Sequence, residues 1–163
     1  MARMQVQGMD EVNAMLGRLG GKGTAIAKAA MYEGAREITD EIGAEIARMK
    51  ESEPGKPRET QKIYRSLTAL ERRDLEKGLG IAKFRREGDE IMTVIGFAGY
   101  GSRKTKTYPS GLPNALLARA IAKPSALRRG RKFTRIALKR KESAAVGAMA
   151  KKADEMIEKI IAE

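Results

Sequence analysis

The chain has 163 residues and a formal net charge of +12, because 33 Lys and Arg residues stand against 21 Asp and Glu residues. This length fits one domain with a hydrophobic core of its own. The sequence has no Cys and no His, which excludes disulfides, zinc sites built on these ligands, and Ser-His or Cys-His catalysis. No apolar run approaches the ~20 residues that span a bilayer and no signal-type segment opens the chain, so we expect a soluble protein of the reducing cytoplasm.

The positive charge belongs to one region of the sequence. Residues 91–141 contain 13 Lys or Arg residues and no Asp or Glu, which gives this segment +13 and the rest of the chain −1. The cations form two blocks, one over residues 103–106 and one over residues 128–141. Such blocks are typical either of solvated faces and interaction tails or of a surface that contacts phosphates, and both interpretations stay open here.

The N-terminal part of the chain is predicted to be helical. Asp10 is a candidate N-cap for a first helix, which the Gly20-Gly21 pair is expected to end. From Thr24 onwards apolar residues recur every three or four positions, which predicts a long amphipathic helix to about residue 50.

Two glycines and several carboxylates lie within the predicted long helix. Gly34 and Gly43 each cost about 1 kcal/mol relative to Ala, so we expect close packing against a neighbour at these positions. Exposed helix and turn positions are the ordinary place for carboxylates. We therefore predict solvated side chains, and no metal or acid-base site, at Glu37, Asp40, Glu41 and Glu45 on the helix and at Glu87, Asp89 and Glu90 in a turn.

The middle of the chain is predicted to contain a hairpin. Two prolines and a glycine break the helix over residues 53–57, and spaced apolar residues then indicate a short helix or an irregular segment that ends before Gly78. Residues 79–98 form two apolar stretches around Glu87-Gly88-Asp89, which is typical of an antiparallel β-hairpin.

The C-terminal half is predicted to contain a long exposed loop and two more helices. The loop covers residues 99–113, Asn114 is a candidate N-cap of a short helix through Ile121, and a final helix begins at Phe133. The sequence thus predicts an α+β fold in which long N- and C-terminal helices pack on a small antiparallel sheet, with a long basic loop. We expect a single domain over residues 1–163, with a helical N-terminal part (1–52), a β-hairpin (79–98), basic loops with a short helix (99–132) and a C-terminal helix (133–163).

Two glycine-rich segments look superficially like nucleotide-binding motifs. In residues 20–24, Gly-Gly-Lys-Gly-Thr, the lysine is followed by Gly and no buried strand precedes it, so a connection between two helices is the better interpretation. Gly78-Leu79-Gly80 lacks the third glycine and enters a strand, so the dinucleotide fingerprint also fails. We predict no catalytic residue, no metal site and no cofactor.

Tyr100 and Tyr108 flank the basic loop. Tyrosines beside Lys and Arg can stack on bases, and they can equally anchor a loop to a neighbouring subunit.

Several short segments, spread nearly from end to end of the chain, form a pattern together with the order of the predicted elements. They are residues 6–12 (Val-Gln-Gly-Met-Asp-Glu-Val), 80–84 (Gly-Ile-Ala-Lys-Phe), 94–100 (Val-Ile-Gly-Phe-Ala-Gly-Tyr), 108–109 (Tyr-Pro), 113–121 (Pro-Asn-Ala-Leu-Leu-Ala-Arg-Ala-Ile) and Phe133. In this pattern the chain resembles the neck and tail-completion proteins of long-tailed bacteriophages. The chain differs from the family pattern in having Thr60-Gln61 and Lys123-Pro124-Ser125 where the family has Thr-Gly and Gly-Thr.

The resemblance implies a non-enzymatic virion subunit that forms a sixfold or twelvefold ring around the DNA channel between head and tail. It implies assembly in the host cytoplasm, with adjacent head-closure and tail-terminator or tail proteins as partners and no membrane. The candidate residues for DNA-channel or partner contacts are Arg103, Lys104, Lys106, Arg128, Arg129, Arg131, Lys132 and Arg135. The candidate inter-subunit loop anchors are Tyr100 and Tyr108.

Two roles compete for these cations. They could approach phosphates in the channel without reading sequence, or they could dock against acidic surfaces of an adjacent ring, which we favour because a passage for moving DNA should not bind it tightly. The principal alternative from another class is a basic nucleic-acid-binding protein that acts without sequence specificity.

Overall fold

The computed structural model describes residues 9–49, 67–87, 90–123 and 130–162, with side chains of the first helix described from residue 17. Within these ranges the chain forms four helices and four short strands. The helices are α1 (Met9–Ala47), α2 (Ala69–Gly78), α3 (Asn114–Ala122) and α4 (Phe133–Ala162), and the strands are β1 (Leu79–Ile81), β2 (Arg85–Glu87), β3 (Glu90–Met92) and β4 (Ile95–Phe97). The predicted α+β class, with long N- and C-terminal helices and a small antiparallel sheet, is confirmed.

One continuous helix replaces the two helices predicted for the N-terminal part. α1 runs for 39 residues through Gly20 and Gly21, so the predicted break and the predicted helix connection are wrong. The physical reason is phase: Leu19 and Ile26 lie seven residues apart, almost two full turns, and therefore on the same face. Both side chains are half-buried, and packing of that face outweighs the weak helix propensity of glycine.

α1 and α4 pack side by side in antiparallel orientation. Glu45, near the end of α1, contacts Arg131, just before α4 begins, whereas Gly34 faces Met149, far along α4. A Cβ atom at Gly34 would overlap the Met149 side chain and lie 3.0 Å from the carbonyl oxygen of Ala145. The predicted close packing is therefore confirmed at this glycine. At Gly43 the nearest atom to such a Cβ is Leu79 Cδ2 at 3.8 Å, so that position has room for a methyl group.

The hydrophobic core lies where the four helices, β1 and β4 meet, at the C-terminal end of α1 and the start of α4. Ile46, Leu75 and Phe133 are fully buried there. Phe97 of β4 meets Phe133 edge to face, with ring centroids 6.0 Å apart, a geometry that aromatic pairs favour.

α2 begins with a capping box. The Thr68 side chain accepts a hydrogen bond from the Glu71 backbone N–H, and the Glu71 carboxylate accepts one from the Thr68 N–H, both at 3.1 Å. This arrangement satisfies two backbone donors at the helix start. Arg72 Nη2 donates to the carbonyl oxygen of Met49, which ties α2 to the end of α1.

The predicted hairpin is confirmed as two antiparallel ladders in series. β1 pairs with β4, with Gly80 opposite Gly96, and β2 pairs with β3, with Glu87 opposite Glu90. Between the ladders three residues, 82–84, oppose two, 93–94, because the register shifts by one. This extra residue is a β-bulge, which bends the hairpin and increases its twist.

Asn114 does not cap α3, which corrects the prediction. Pro113 holds the N-cap position and makes no side-chain cap hydrogen bond. Asn114 is buried, and its Nδ2 donates to the carbonyl oxygen of Ala98 at 2.9 Å. The side chain thus joins the start of α3 to the end of the hairpin.

Candidate interaction surface

The loop over residues 99–113 is docked on α2, although the sequence predicted a long exposed loop. The Ser102 N–H and hydroxyl donate to the Asp74 carboxylate at 2.6 and 3.0 Å. The base of the loop is closed by the Gly101 N–H, which donates to the Leu112 carbonyl at 2.8 Å. Several loop residues are nevertheless exposed, and Tyr100 has 70% of its surface accessible.

Arg103 belongs to this docking. Its Nη1 lies 3.1 Å from Oε1 of Glu71, whose side chain is almost fully buried. The Arg103 side chain remains 39% exposed, so its contact with the channel or another protein stays a prediction. Lys104 and Lys106, beside it, are exposed and make no ion pair with a described residue, and Tyr108 is half-buried.

A buried carboxylate organises the second basic block. The Glu45 side chain is 0% exposed, and its Oε2 accepts a hydrogen bond from Arg131 Nη2 at 2.5 Å. Its Oε1 accepts from Arg140 Nη1 at 2.5 Å and from Arg48 Nη1 at 2.8 Å. We call these four residues the Glu45 cluster. Arg131 and Glu45 are 86 positions apart in the sequence, so the cluster fixes the start of α4 to the end of α1.

The arginines of this cluster lower the pKa values of the neighbouring glutamates. Burial alone would raise the pKa of Glu45, but the hydrogen bonds from Arg131 and Arg48, together with the nearby positive charges, hold that pKa below its ordinary value. The pKa of Glu41 is also lowered, first by the Arg48 hydrogen bond and then by that from Arg140. Both carboxylates are therefore charged at neutral pH.

The cluster extends along α1 as a row of carboxylates. Glu37, Glu41 and Glu45 are four residues apart and so lie on one helix face. Glu41 lies 3.1 Å from Arg140, and Glu37 lies 3.1 Å from Lys141. The expectation of solvated helix carboxylates is wrong for Glu45, which is buried because three arginines pair with it. The four-residue spacing of the three glutamates was the available sequence signal for a row of carboxylates on one face.

The other side of α4 carries cations that have no such partners. Lys132, Arg135 and Lys139 are exposed, and none of the three forms an ion pair within the part of the chain that the structure describes. Their spacing of three and four residues places them on one face of the helix, about 10 Å from first to last. We call these three residues the outer basic face. Leu138 and Val146, which are 46% and 61% exposed, lie beside them.

The predicted site residues therefore separate into three groups. Arg103 and Arg131 are bound to carboxylates of the same chain, whereas Lys104, Lys106, Lys132 and Arg135 are exposed. Arg128 and Arg129 lie outside the described residues.

In the ranges 9–49, 67–87, 90–123 and 130–162 no group of three or more acidic side chains is placed to hold a metal ion. No helix of these ranges is long and apolar enough to cross a membrane. Comparisons of the chain with protein-family models, with curated proteins and with solved structures found no match.

Proposed function

We propose that the chain is a non-enzymatic structural subunit of a ring at the head-tail junction of a long-tailed bacteriophage. In this role it joins head to tail and surrounds the DNA channel. The observation that carries the proposal is that segments which resemble the neck family, although separate in the sequence, lie together in the fold. β1 pairs with β4, and Tyr100, just after β4, forms a β-bridge with Pro113, just before α3.

The local structure that these segments form is held by specific polar contacts. The Asn114 N–H donates to the Gly99 carbonyl at 3.0 Å, and the Asn114 amide donates to Ala98. The resemblance therefore covers residues whose chemistry builds one local structure, which is more than a shared composition would give.

The distribution of cations also favours an assembly role. A subunit of a ring needs two different surfaces that complement each other, since ring contacts are heterologous. The outer basic face and the exposed Lys104 and Lys106 are surfaces available for such contacts with adjacent head-closure or tail proteins.

Loss of the gene product in an infection is the direct test. We expect DNA-filled heads and separate tails that fail to join, because a ring between them is missing. Negative-stain micrographs of the purified protein, alone or with its neighbouring proteins, should show sixfold or twelvefold rings. Intact, infectious virions without the protein would contradict the proposal.

A second candidate is a basic protein that binds nucleic acid without sequence specificity, and the outer basic face is the observation that favours it. Its test is affinity for random duplex DNA at increasing salt. If DNA binds there, replacing Lys132, Arg135 and Lys139 by Ala should weaken the affinity. It should also make the slope of log K against log salt shallower, by the amount expected for the loss of about three phosphate contacts. A matched control replaces three exposed lysines elsewhere, Lys28, Lys77 and Lys151. Equal effects of the two triple variants, or no binding at low salt, would remove this candidate.

A further inference from the structure

The strand β4 has one edge that pairs with no other described strand. The Ala98 N–H donates to the Gly78 carbonyl at 2.8 Å, so these two residues form a hydrogen-bonded pair of the β1–β4 ladder. Hydrogen-bonded and non-hydrogen-bonded pairs alternate along an antiparallel ladder. Phe97 and Ile95 therefore direct their backbone N–H and C=O groups away from β1, to the other edge of β4. No described residue forms a hydrogen bond with these groups on that side. We call this side the free edge of β4.

A third strand begins beside this edge but does not continue along it. Tyr100 forms an antiparallel bridge with Pro113, and the Asn114 N–H donates to the Gly99 carbonyl at 3.0 Å. The chain then turns into α3 at Asn114, so no described segment extends the third strand beside β4. An unpaired strand edge of this kind accepts another extended segment through backbone hydrogen bonds.

An apolar cavity of about 280 Å³ lies at the same edge. Three consecutive residues of β4, 95–97, line it, and since successive residues point to opposite faces of a strand, a cavity that touches all three lies at the strand edge. Ile42 of α1 and Phe133 of α4, both buried, complete its apolar wall. Arg119, the only charged residue of the lining, is exposed, so its charge can stay in water when the cavity is filled.

The N-terminal segment of the same chain is too far away to fill this cavity. Met9, where α1 begins, and Ile42, which lines the cavity, are 33 positions apart on one helix, which corresponds to about 50 Å. Residues 1–8, which lie outside the described residues, span at most about 28 Å even when fully extended. They can therefore reach such a cavity only in another copy of the chain.

α1 also carries this segment away from the body of its own subunit. Gly34 faces Met149, and it lies 25 residues from the start of α1 at Met9, whereas Met149 lies 13 residues from the end of α4 at Ala162. Because the two helices are antiparallel, about twelve residues of α1, roughly 18 Å, project past the end of α4. The projection presents the segment before Met9 to other molecules.

We infer that residues 3–7 of one copy add a strand to the free edge of β4 in a second copy and fill its cavity with apolar side chains. The inference rests on the proposed ring, for which it names a contact. The sequence of these residues, Arg-Met-Gln-Val-Gln, alternates polar and apolar side chains, as a strand with one buried face does. Met4 and Val6 then share the face towards the cavity. The segment and the cavity are different surfaces, so the contact is heterologous and leads to a ring when the rotation between copies closes.

Cysteine cross-linking tests the contact directly. The sequence has no Cys, so introduced cysteines are the only thiols. Thr134 lines the cavity and is exposed, so mixing Val6→Cys protein with Thr134→Cys protein under mild oxidation should give a disulfide between the two chains. The control mixes Val6→Cys with Thr107→Cys, an exposed threonine outside the cavity, and should give little or none. Equal yields from the two mixtures, or no cross-link from the first, would overturn the inference.

Filling the cavity supplies an independent readout. Ala122 lines the cavity, so Ala122→Phe in the Thr134→Cys chain should lower the cross-link yield at least about tenfold. The matched control is Ala120→Phe, an exposed position of the same helix outside the lining, which should leave the yield unchanged. Thermal unfolding of both variants keeps misfolding apart from a blocked cavity. Equal yields from the two variants would count against the contact.

Peptide competition needs no substitution in the cavity. A synthetic peptide of residues 1–8 should inhibit the cross-link between Val6→Cys and Thr134→Cys proteins, because it competes for the same strand edge. A peptide of the same composition in scrambled order should inhibit much less. Equal inhibition by the two peptides, or none by either, would contradict strand addition by this segment.

The outcomes separate this inference from the proposed function. Rings that form in a chain lacking residues 1–8 would overturn the contact and leave the neck role standing. The expected cross-links in a protein whose loss leaves virions intact would support the contact and overturn the neck role. Head-tail joining that is lost with Ala122→Phe but kept without residues 1–8 would overturn the contact in favour of a segment from an adjacent protein.

Discussion

Cations on the two sides of α4 have different surroundings. On the side towards α1, Arg140 and Lys141 meet Glu41, Glu45 and Glu37 at 2.5 to 3.1 Å. On the other side, the outer basic face meets no carboxylate of the described chain. One continuous basic segment of the sequence is thus used twice, for internal attachment and for an exposed surface.

The difference shows why net charge overstates the charge that a partner meets. The acid-free segment of residues 91–141 carries +13, but Arg103, Arg131, Arg140 and Lys141 are already paired with glutamates from α1 and α2. Their substitution would change stability first. The exposed cations are the ones whose substitution should change binding and leave the fold intact.

On the side of α4 that faces α1, removing the Glu45 carboxylate should have the largest effect on stability. Glu45→Gln leaves Arg48, Arg131 and Arg140 together without the charge that holds them, so we expect the free energy of unfolding to fall by about 2–3 kcal/mol. Urea denaturation at pH 7 measures it. The control is Asp40→Asn on the same helix, where the side chain is 72% exposed and the change should stay within about 0.5 kcal/mol. Equal losses in the two variants would show that burial of Glu45 has no special role.

The elements themselves were largely predictable, because their signals are local. The apolar periodicity of the final helix and the paired apolar stretches of the hairpin both depend on neighbouring residues, and both elements are found. The break at Gly20-Gly21 was wrong because the packing of α1 on α4, a contact between distant segments, outweighs local propensity. Asn114 was misassigned for a related reason, since its side chain binds a strand end 16 positions away.

The paired and unpaired cations could not be separated from the sequence. Arg131 and Lys132 are neighbours of the same charge, yet one reaches Glu45 and the other is exposed. The partner of Arg131 lies on another helix, and no local pattern specifies it. The four-residue spacing of Glu37, Glu41 and Glu45 indicates a charged stripe on α1 but does not identify the segment that packs against it.

These two adjacent cations allow a sharper comparison. Arg131→Ala removes a 2.5 Å hydrogen bond to a buried carboxylate, so we expect a loss of about 1–2 kcal/mol, less than for Glu45→Gln because two arginines remain. Lys132→Ala should change the free energy of unfolding by no more than about 0.5 kcal/mol. Chemical denaturation of both variants under the same conditions gives the answer. Similar losses in the free energy of unfolding for the two variants would mean that the ion pair of Arg131 with Glu45 stabilises the fold no more than the exposed side chain of Lys132 does.

Acid should remove part of the stability that the Glu45 cluster contributes. The folded state holds the pKa of Glu45 below its ordinary value of 4.5, so near that pH the unfolded chain binds more protons and stability rises with pH. The contribution is complete above this value and is lost as the pH falls through the lowered pKa. Wild-type stability should therefore fall more steeply below about pH 4.5 than that of Glu45→Gln, which has no proton to take up there. At any one acidic pH, the stability that wild type loses by protonation of Glu45 is smaller than the loss caused by Glu45→Gln, since protonation is only partial. Urea midpoints at several acidic pH values measure both slopes, and parallel slopes would mean that the three arginines do not lower the pKa of Glu45 in the folded protein.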